Sequence, residues 1–527
     1  MKQIISKIIL HNFKRFQDTT FSPNKNINII VGDNESGKSS LLQAIDFVIS
    51  GSIKKVEDYG IDRIINVNAI NKFKSKINNS QPCIRDLPYV EVDLFLTPEG
   101  NNYELNGRNN LEGEETDGLR MECAINEEYE NEINNIWKTN PEYFPYDYYV
   151  IKFSTFSGNS FTYRARYLKS ILVDSCNINS KYATEDFIRR VYEKYTTPED
   201  RVKNQASYRL MKENFSNNEL NSLNNLIPQH QNYQIALKNA SDKGISQDLM
   251  IYEDHIPIDN KGAGRQVFIK TEFAINKGAD PVNIILIEEP ENHLSHINLI
   301  KLVDTINTDS NCQLFVTTHS SLICSRLDLL NVSILSRDVD NILSLNTLKV
   351  EDSSFFKKCP PINILEFCLS KKVILVEGPS EYILFEKFYK KLSNGKKLED
   401  DGIQVLDARG LSFKRYLSVA KITKSKVAVI TDNDTDYKDN VLEKYKDFIQ
   451  NNIKIFSDKD NNNRTFEIVL AKCNMKLCCN LFEKDNLESC ITYMLHNKAD
   501  CALKLLESEE DLEVPSYIRE AINWIKE

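Results

Sequence analysis

Two acids stand four residues apart in VILVEGPSEY (373–382): Glu377 at the mouth of an apolar run, and Glu381 beyond a Gly-Pro break. Downstream, KSKVAVITDNDTD (424–436) repeats the pattern, an apolar run ending in Asp432 and Asp434 on either side of Asn433. A strand ending in Glu, then a helix, then a strand ending in Asp-x-Asp is an α/β unit that gathers carboxylates at the carboxyl edge of a parallel sheet. Carboxylates that converge repel one another and have raised pKa values unless divalent cations neutralise them. Metal binding is the economical explanation. Glu381 lies about one helical turn past Glu377 and would face the same ions. Gly378 would relax the strand exit, and Pro379 would start the helix without wasting an N–H. The plainer alternative is a turn into an exposed helix start, where Glu381 only complements the dipole. The second acidic strand counts against it.

A different constellation occupies NINIIVGDNESGKSSLLQAI (26–45), which reads as strand, loop and helix start. Gly32, Gly37, Lys38 and Ser39 satisfy GxxxxGK[ST]: the loop turns backbone N–H groups toward phosphates, Lys38 reaches the outer phosphates and Ser39 holds Mg²⁺. Asn34 in the loop and Ser40 in the first helical turn belong to the same ATP site. NIILIEEPENHLS (283–295) is another apolar strand ending in two acids. Glu288 would bind the Mg²⁺ shell through water, and Glu289 would orient the water that attacks the γ-phosphate. His319 caps a third strand, QLFVTTHSS (313–321), and is placed to sense that phosphate.

Positioning two such sites takes more than one core. At 527 residues the chain is expected to form roughly two to four domains. With 41% hydrophobic and 27% charged residues it reads as globular. None of the 12 cysteines is spaced CxxC, which argues for reduced, mostly buried thiols. The start, MKQIISKIILHNF, is interrupted by Ser6 and Lys7 with no cleavage site after it, and no apolar run approaches the ~18 residues of a membrane span. A cytoplasmic location is expected, with no membrane partner. A net charge of −10 argues against nonspecific binding of nucleic acid by the whole surface. From Glu386 to Lys426, however, eleven Lys/Arg face five acids, including the loop DARGLSFKRY (407–416), a stretch suited to tracking a phosphate backbone.

Between the phosphate loop and the second acidic strand, YVEVDLFL (89–96) reads as a strand, and TEDFIRRVYEKY (184–195) as a helix among Asn-rich turns. No sustained heptads run through 55–255. The expected fold class is α/β: an ATPase part at 1–160, a helical insertion suited to self-association at 161–250, the rest of the ATPase at 251–362, and a parallel-sheet metal-binding domain at 363–527.

The first set resembles the ATP-binding-cassette ATPases, in the branch shared with chromosome-maintenance and DNA-repair ATPases. IISKIILHNFKRF (4–16) is similar to their first strand, and NKGAGRQVF (260–268), with Gly262, Gly264 and Gln266, to their signature loop. The resemblance implies that this loop touches ATP held by a second copy, hence a homodimer or higher homo-oligomer. Glu288 stands where Asp is usual and the signature lacks its opening Ser, which implies slow hydrolysis. EGPSE with a later DND resembles the Toprim domain, and the two in this order resemble the OLD-family nucleases (overcoming lysogenization defect). That family implies an ATP-regulated DNA endonuclease with two Mg²⁺ or Mn²⁺ ions, acting on double-stranded DNA in antiphage defence. It acts alone, with a helicase-like partner, or beside a retron reverse transcriptase and its small DNA. Carried over, Glu377 is the first-motif acid, Asp432 and Asp434 complete its metal shell, and Glu381 helps hold the second ion. A later Leu-x-Glu type acid falls on Glu483 in LFEKDNLES (481–489), with Asp485 and Glu488 as alternatives; family members often carry a small hydroxyl residue two positions before that acid, where this segment has Leu481. A late lysine falls on Lys498 or Lys504. The alternative function is an ATP- and DNA-binding regulatory subunit whose partner supplies catalysis.

Overall fold

The computed structural model describes residues 4–77, 82–98, 102–174, 181–225, 235–237, 245, 248–275, 282–292, 294–306, 312–336, 342–358, 363–408 and 413–527. The chain divides into two compact units, Met1–His319 with Leu335–Ile342, and Ser320–Ile334 with Leu343–Glu527. Among the described residues no helix is long and apolar enough to cross a membrane.

The first unit holds two kinds of sheet. In one, β1 (Ile5–Phe13) is flanked by β2 (Phe16–Phe21) and β4 (Val90–Leu96), and β5 (Thr116–Ile125) and β6 (Tyr149–Thr155) follow, all antiparallel. Alternation along β1 puts Ile8 and Leu10 into the core and leaves His11 on the other face. In the other sheet, β3 (Ile27–Gly32) is joined in parallel by β9 (Gln313–Thr317), β8 (Ile284–Glu288) and β7 (Ser170–Asp174). β8 and β9 are buried along their whole length, as strands covered on both faces require. The α/β expectation is met. The stretch 161–250 is not helical throughout: β7 is a core strand, paired residue for residue with β8 from Ser170↔Ile284 to Asp174↔Glu288.

Helix α1 (Lys38–Ser50) follows β3, and α2 (Lys181–Tyr195) follows β7. They are tied by Asp46, fully buried, which receives Arg190 Nη1 at 3.1 Å, Ser170 Oγ at 3.2 Å and the Lys55 ammonium. Burial alone would raise the Asp46 pKa, but the two cations hold it far below the carboxylate range. The helix α3 (Pro198–Asn218) has a Thr197–Asp200 capping box and no buried residue; Val202, Leu210, Met211 and Phe215 are exposed on it. The helix α4 (Ala263–Ile275) precedes β8.

In the second unit α5 (Val350–Lys358) precedes a parallel sheet, ordered β11 (Ile403–Asp407), β10 (Lys372–Val376), β12 (Lys426–Ile430), β13 (Ile453–Phe456). The chain leaves β10 for one neighbour and returns to the other side of it for β12. This reversal opens a crevice beyond the carboxyl ends of β10 and β12, where ligands of such sheets bind. Helix α6 (Pro379–Leu392) runs from β10 and buries Leu384, Phe385 and Phe388. It is followed by α7 (Phe413–Thr423), α8 (Phe466–Cys473), α9 (Met475–Leu481), α10 (Leu487–His496), α11 (Lys498–Glu507) and α12 (Ser516–Lys526).

Removing the carboxylate at Asp46 leaves Arg190 buried without its partner. Asp46→Ala should destabilise the first unit by about 3–5 kcal/mol in urea unfolding; a loss under about 1 kcal/mol would show that the network is not what joins α1, α2 and β7.

Candidate functional site

In the first unit the phosphate loop closes between β3 and α1. Gly37 holds φ +97°, and a Cβ there would come within 2.6 Å of Arg15 Cδ; a Cβ on Gly32 would meet Ser36 Oγ at 2.4 Å. Only glycine fits these two positions. Lys38 is buried and donates to the carbonyls of Gly32 (3.0 Å) and Asp33 (3.1 Å). Burial lowers its pKa, against the charges of Glu289, Asp33, Glu291 and Glu288. Asn34 is exposed at the loop tip, and Ser39 and Ser40 lie in the first turn of α1. Ser39 lies close to Glu288, whose pKa burial, Asp174 and Glu289 push up to about 7. Glu289, at φ +41°, lies 3.4 Å from His319 Nε2 and accepts from Asn292 Nδ2 at 2.9 Å. Burial and Lys38 lower the His319 pKa. Gly262, just before α4, faces open space, Gly264 lies in the first turn, and Gln266 Nε2 returns to Lys261 O at 2.9 Å. Asp174, which ends β7 beside Glu288, has the same strand-then-acid signal as Glu288 in SILVD and was not singled out from the sequence.

The loop N–H groups, Lys38, Ser39 and Glu288 fit a nucleotide with a divalent cation, and the buried Ser36 Oγ has no hydrogen-bond partner among the described residues.

The second unit gathers acids from two strand ends and two helix starts. Glu377 leaves the end of β10, where its Oε2 accepts from Thr431 Oγ1 at 2.8 Å and Asp432 N at 2.9 Å, both at the end of β12. Asp432 Oδ1 accepts from Phe466 N at 2.8 Å, so the carboxylate also caps the first turn of α8. Glu381 is buried in the first turn of α6, with Pro379 opening the helix as the sequence suggested. Gly378 has extended backbone, so its role is not conformational freedom at the strand exit. A Cβ there would stand 3.5 Å from Glu381 Oε2, and glycine leaves the carboxylate uncovered.

The fourth acid is Glu467, on α8. Its Oε1 receives Lys498 Nζ at 3.2 Å and Ser380 Oγ at 3.4 Å, and its buried Oε2 has no partner among the described residues. Glu483, expected in this place, is exposed after α9 at φ +54°, and Asp485 and Glu488 are exposed as well. The reason is local: α9 ends at Leu481, and the chain turns outward there, whereas α8 points its N-terminus at Asp432. The signal was legible, since Thr465 stands two positions before Glu467, the hydroxyl spacing that Leu481 fails to provide. Of the two late lysines, Lys498 reaches the acids and Lys504 is exposed on α11. Asp434 is exposed at φ +47°, beside Tyr445, on which Glu377 also acts.

Electrostatics follow from this crowding. Burial, with the charges of Asp432, Glu467 and Glu377, pushes Glu381 well above the usual carboxylate range. Burial, Glu377 and Glu467 push Asp432 up to about 8. Burial opposes the charge of Lys498, yet Glu467, Asp432 and Glu381 raise its pKa. An all-oxygen donor set with an orphaned buried oxygen and more negative charge than one lysine offsets fits a hard divalent cation. Among the described residues no three such side chains stand as a ready-made metal-binding group; Glu377, Glu381, Asp432 and Glu467, whose charges act on one another, are the residues that would hold the ion once it draws them together.

The basic stretch 386–426 is not one phosphate-facing surface. Lys387 donates to Leu505 O (2.8 Å) and Ser508 O (2.6 Å), and Lys391 to Leu512 O (3.0 Å). Lys390 pairs with Glu386, Lys396 with Asp401, and Lys426 lies over the Trp524 ring. Arg409 and much of its loop lie outside the described residues.

Asp432 titrates near 8 when folded and about 4 when unfolded, so its protonation stabilises the fold at low pH and that contribution is lost as pH rises through 8. A divalent cation replaces the lost proton. Mn²⁺ should therefore raise the unfolding temperature more at about pH 9 than at about pH 6, and less in Glu467→Gln. An equal rise at both pH values would contradict this assignment.

Comparisons with known proteins match parts of the chain that include both units. Residues 4–337 match the family described as RecF/RecN/SMC N terminal domain, and residues 369–434 match the overcoming lysogenization defect protein-like TOPRIM domain. The chain is similar to an ATP/GTP phosphatase of Helicobacter pylori (22% identical, covering 66% of this chain and 93% of that protein). It is also similar to Old nuclease of Escherichia phage P2 (27% identical; 33% of this chain, 31% of the relative) and to Endonuclease GajA of Bacillus cereus (27%; 37% of this chain, 35% of the relative). It thus spans only about a third of each of these two nucleases. Combining an ATPase unit that the first match covers with the acid-bearing sheet that the second matches, the chain belongs to the RecF/RecN/SMC N terminal domain family and carries an OLD-like TOPRIM domain behind it.

Proposed function

We propose that the protein is an ATP-regulated, divalent-metal-dependent DNA endonuclease acting in the cytoplasm as an antiphage effector. The observation that carries this reading is that Glu377, Glu381, Asp432 and Glu467 act on one another's charge at one sheet edge, with Lys498 paired to Glu467. Its relatives include proteins named as nucleases.

Bound Mg²⁺ or Mn²⁺ supplies activation of water and stabilisation of the leaving oxygen in phosphodiester hydrolysis. The chain's own groups do the positioning. Thr431 Oγ1 and Asp432 N fix the Glu377 carboxylate in one orientation. Lys498, held by Glu467 and kept protonated by the acids around it, offers its charge to the phosphate as negative charge grows there. Glu381 and Glu467 are buried, and the low local polarity around them strengthens each of these interactions.

ATP at Lys38 and Ser39 sets the state of the enzyme, with Glu289 and His319 at the γ-phosphate and Gly262 and Gly264 serving a second copy. The exposed apolar residues of α3 support self-association into a homodimer or larger assembly. A helicase-like subunit, or a retron reverse transcriptase with its small DNA, is the class of defence partner the family resemblance implies.

Supercoiled plasmid incubated with the protein and Mg²⁺ or Mn²⁺, with and without ATP, tests the reading. Nicking or linearisation is expected, lost in Glu377→Ala and Glu467→Ala, slowed about 100-fold in Lys498→Ala and unaffected in Glu483→Ala. Cleavage that survives Glu467→Ala, or depends on Glu483, would overturn the site. Lys38→Ala should keep metal-dependent cutting and lose its response to ATP.

A further inference from the structure

A cleft of about 350 Å³ opens in the second unit between α5, α7 and the segment around Lys444. Four cations line it: Lys349 ahead of α5, Lys414 and Arg415 on α7, and Lys444. The acids of the same cleft are Glu351 and Asp352. Arg415 pairs with Asp352 at 3.0 Å and lies 4.3 Å from the Phe355 ring, so these two charges are already spent on holding α7 to α5. That leaves Lys349, Lys414 and Lys444 against Glu351 alone. All three lysines are exposed, and among the described residues none has a carboxylate partner.

The floor ties this cleft to the acids. Phe413 and Tyr445 are buried there with ring centroids 6.4 Å apart. Tyr445 lies close enough to Thr431 and Glu377 for both to act on its hydroxyl, and Thr431 Oγ1 donates to Glu377 Oε2 at 2.8 Å. The lysine cleft and the Glu377 carboxylate therefore lie on two sides of one Tyr–Thr pair. Of the other lysines of the basic stretch, Lys387 and Lys391 donate to backbone carbonyls, Lys390 and Lys396 pair with acids, Lys426 lies over Trp524, and Lys421 donates to Asp447 O beside the Phe448 ring.

Resting on the nuclease reading above, we propose that this cleft is the phosphate-backbone subsite of the DNA substrate. Lys349, Lys414 and Lys444 hold phosphates of the strand beside the scissile bond, and the rigid Tyr445–Thr431 pair sets the distance from that grip to Glu377. Phosphate contacts of this kind position DNA without reading its sequence, because exposed lysines act as point charges on phosphate oxygens. Two consequences are measurable: binding that falls steeply with salt, and a loss of affinity on lysine removal that is the same for every DNA sequence.

The test uses the full chain and a fluorescent duplex in Ca²⁺, with plasmid cleavage in Mn²⁺ as a second readout. Lys414→Glu/Lys444→Glu should weaken duplex binding by roughly tenfold or more and flatten the log–log salt dependence by about two units, at about 0.9 for each phosphate no longer neutralised. Glu377→Ala should fail to cut and serves as the cleavage-dead control. Lys390→Glu, which changes charge by the same sign on α6, should leave binding unchanged, and ATP binding at the first unit should be intact in all variants. Wild-type affinity and salt slope in the double variant would overturn the cleft while leaving the nuclease reading in place. A wild type that neither binds nor cuts duplex would overturn both.

Discussion

Like charge in a small dry volume is the constraint around which the second unit is built. Glu377, Glu381, Asp432 and Glu467 approach from the ends of two strands and the starts of two helices, and three of them act together to raise Glu381. Water cannot relieve that repulsion, because Glu381 and Glu467 are almost entirely buried. Protons relieve it at low pH and a divalent cation at high pH, with Lys498 contributing one fixed positive charge. Each supporting feature follows: the hydroxyl and amide that fix Glu377, the helix start that receives Asp432, and the bare Gly378 beside Glu381.

The first unit meets the same difficulty with a different remedy. There, too, parallel strands end in acids, Asp174 and Glu288 side by side in register. A phosphate ligand brings negative charge rather than neutralising it, so the chain supplies cation and amides: Lys38 and the glycine-shaped loop at the start of α1. Both units thus place chemistry at the carboxyl edge of a parallel sheet, where strand ends and helix starts meet without the side chains of either having to cross the core.

What was legible in the sequence was whatever follows directly from an apolar strand. Glu377, Asp432, Glu288 and His319 each end a run of buried residues, and a run of that kind ends at the sheet edge. Glu467 was harder because it opens a helix; its position depends on Asp432 receiving the Phe466 amide, a long-range hydrogen bond that no local pattern encodes. The Thr465-x-Glu467 spacing was the available clue. β7 was hidden for another reason: SILVD is short and lies among helical and polar segments, and only pairing with β8 makes it a strand. The basic stretch shows the limit of counting charge. A lysine's stem is long enough to bring its ammonium to backbone carbonyls, Lys387 at the end of α11 and Lys391 at Leu512 beyond it, and such a lysine is no longer offered to a phosphate.

The most direct measurement of the central claim is anomalous diffraction from crystals of the full chain soaked in Mn²⁺. The account predicts manganese at bonding distance from carboxylate oxygens of Glu377 and Asp432, with Glu381 and Glu467 completing the cluster. Manganese found only beside Ser39 and Glu288, with those four carboxylates bare at alkaline pH, would contradict it.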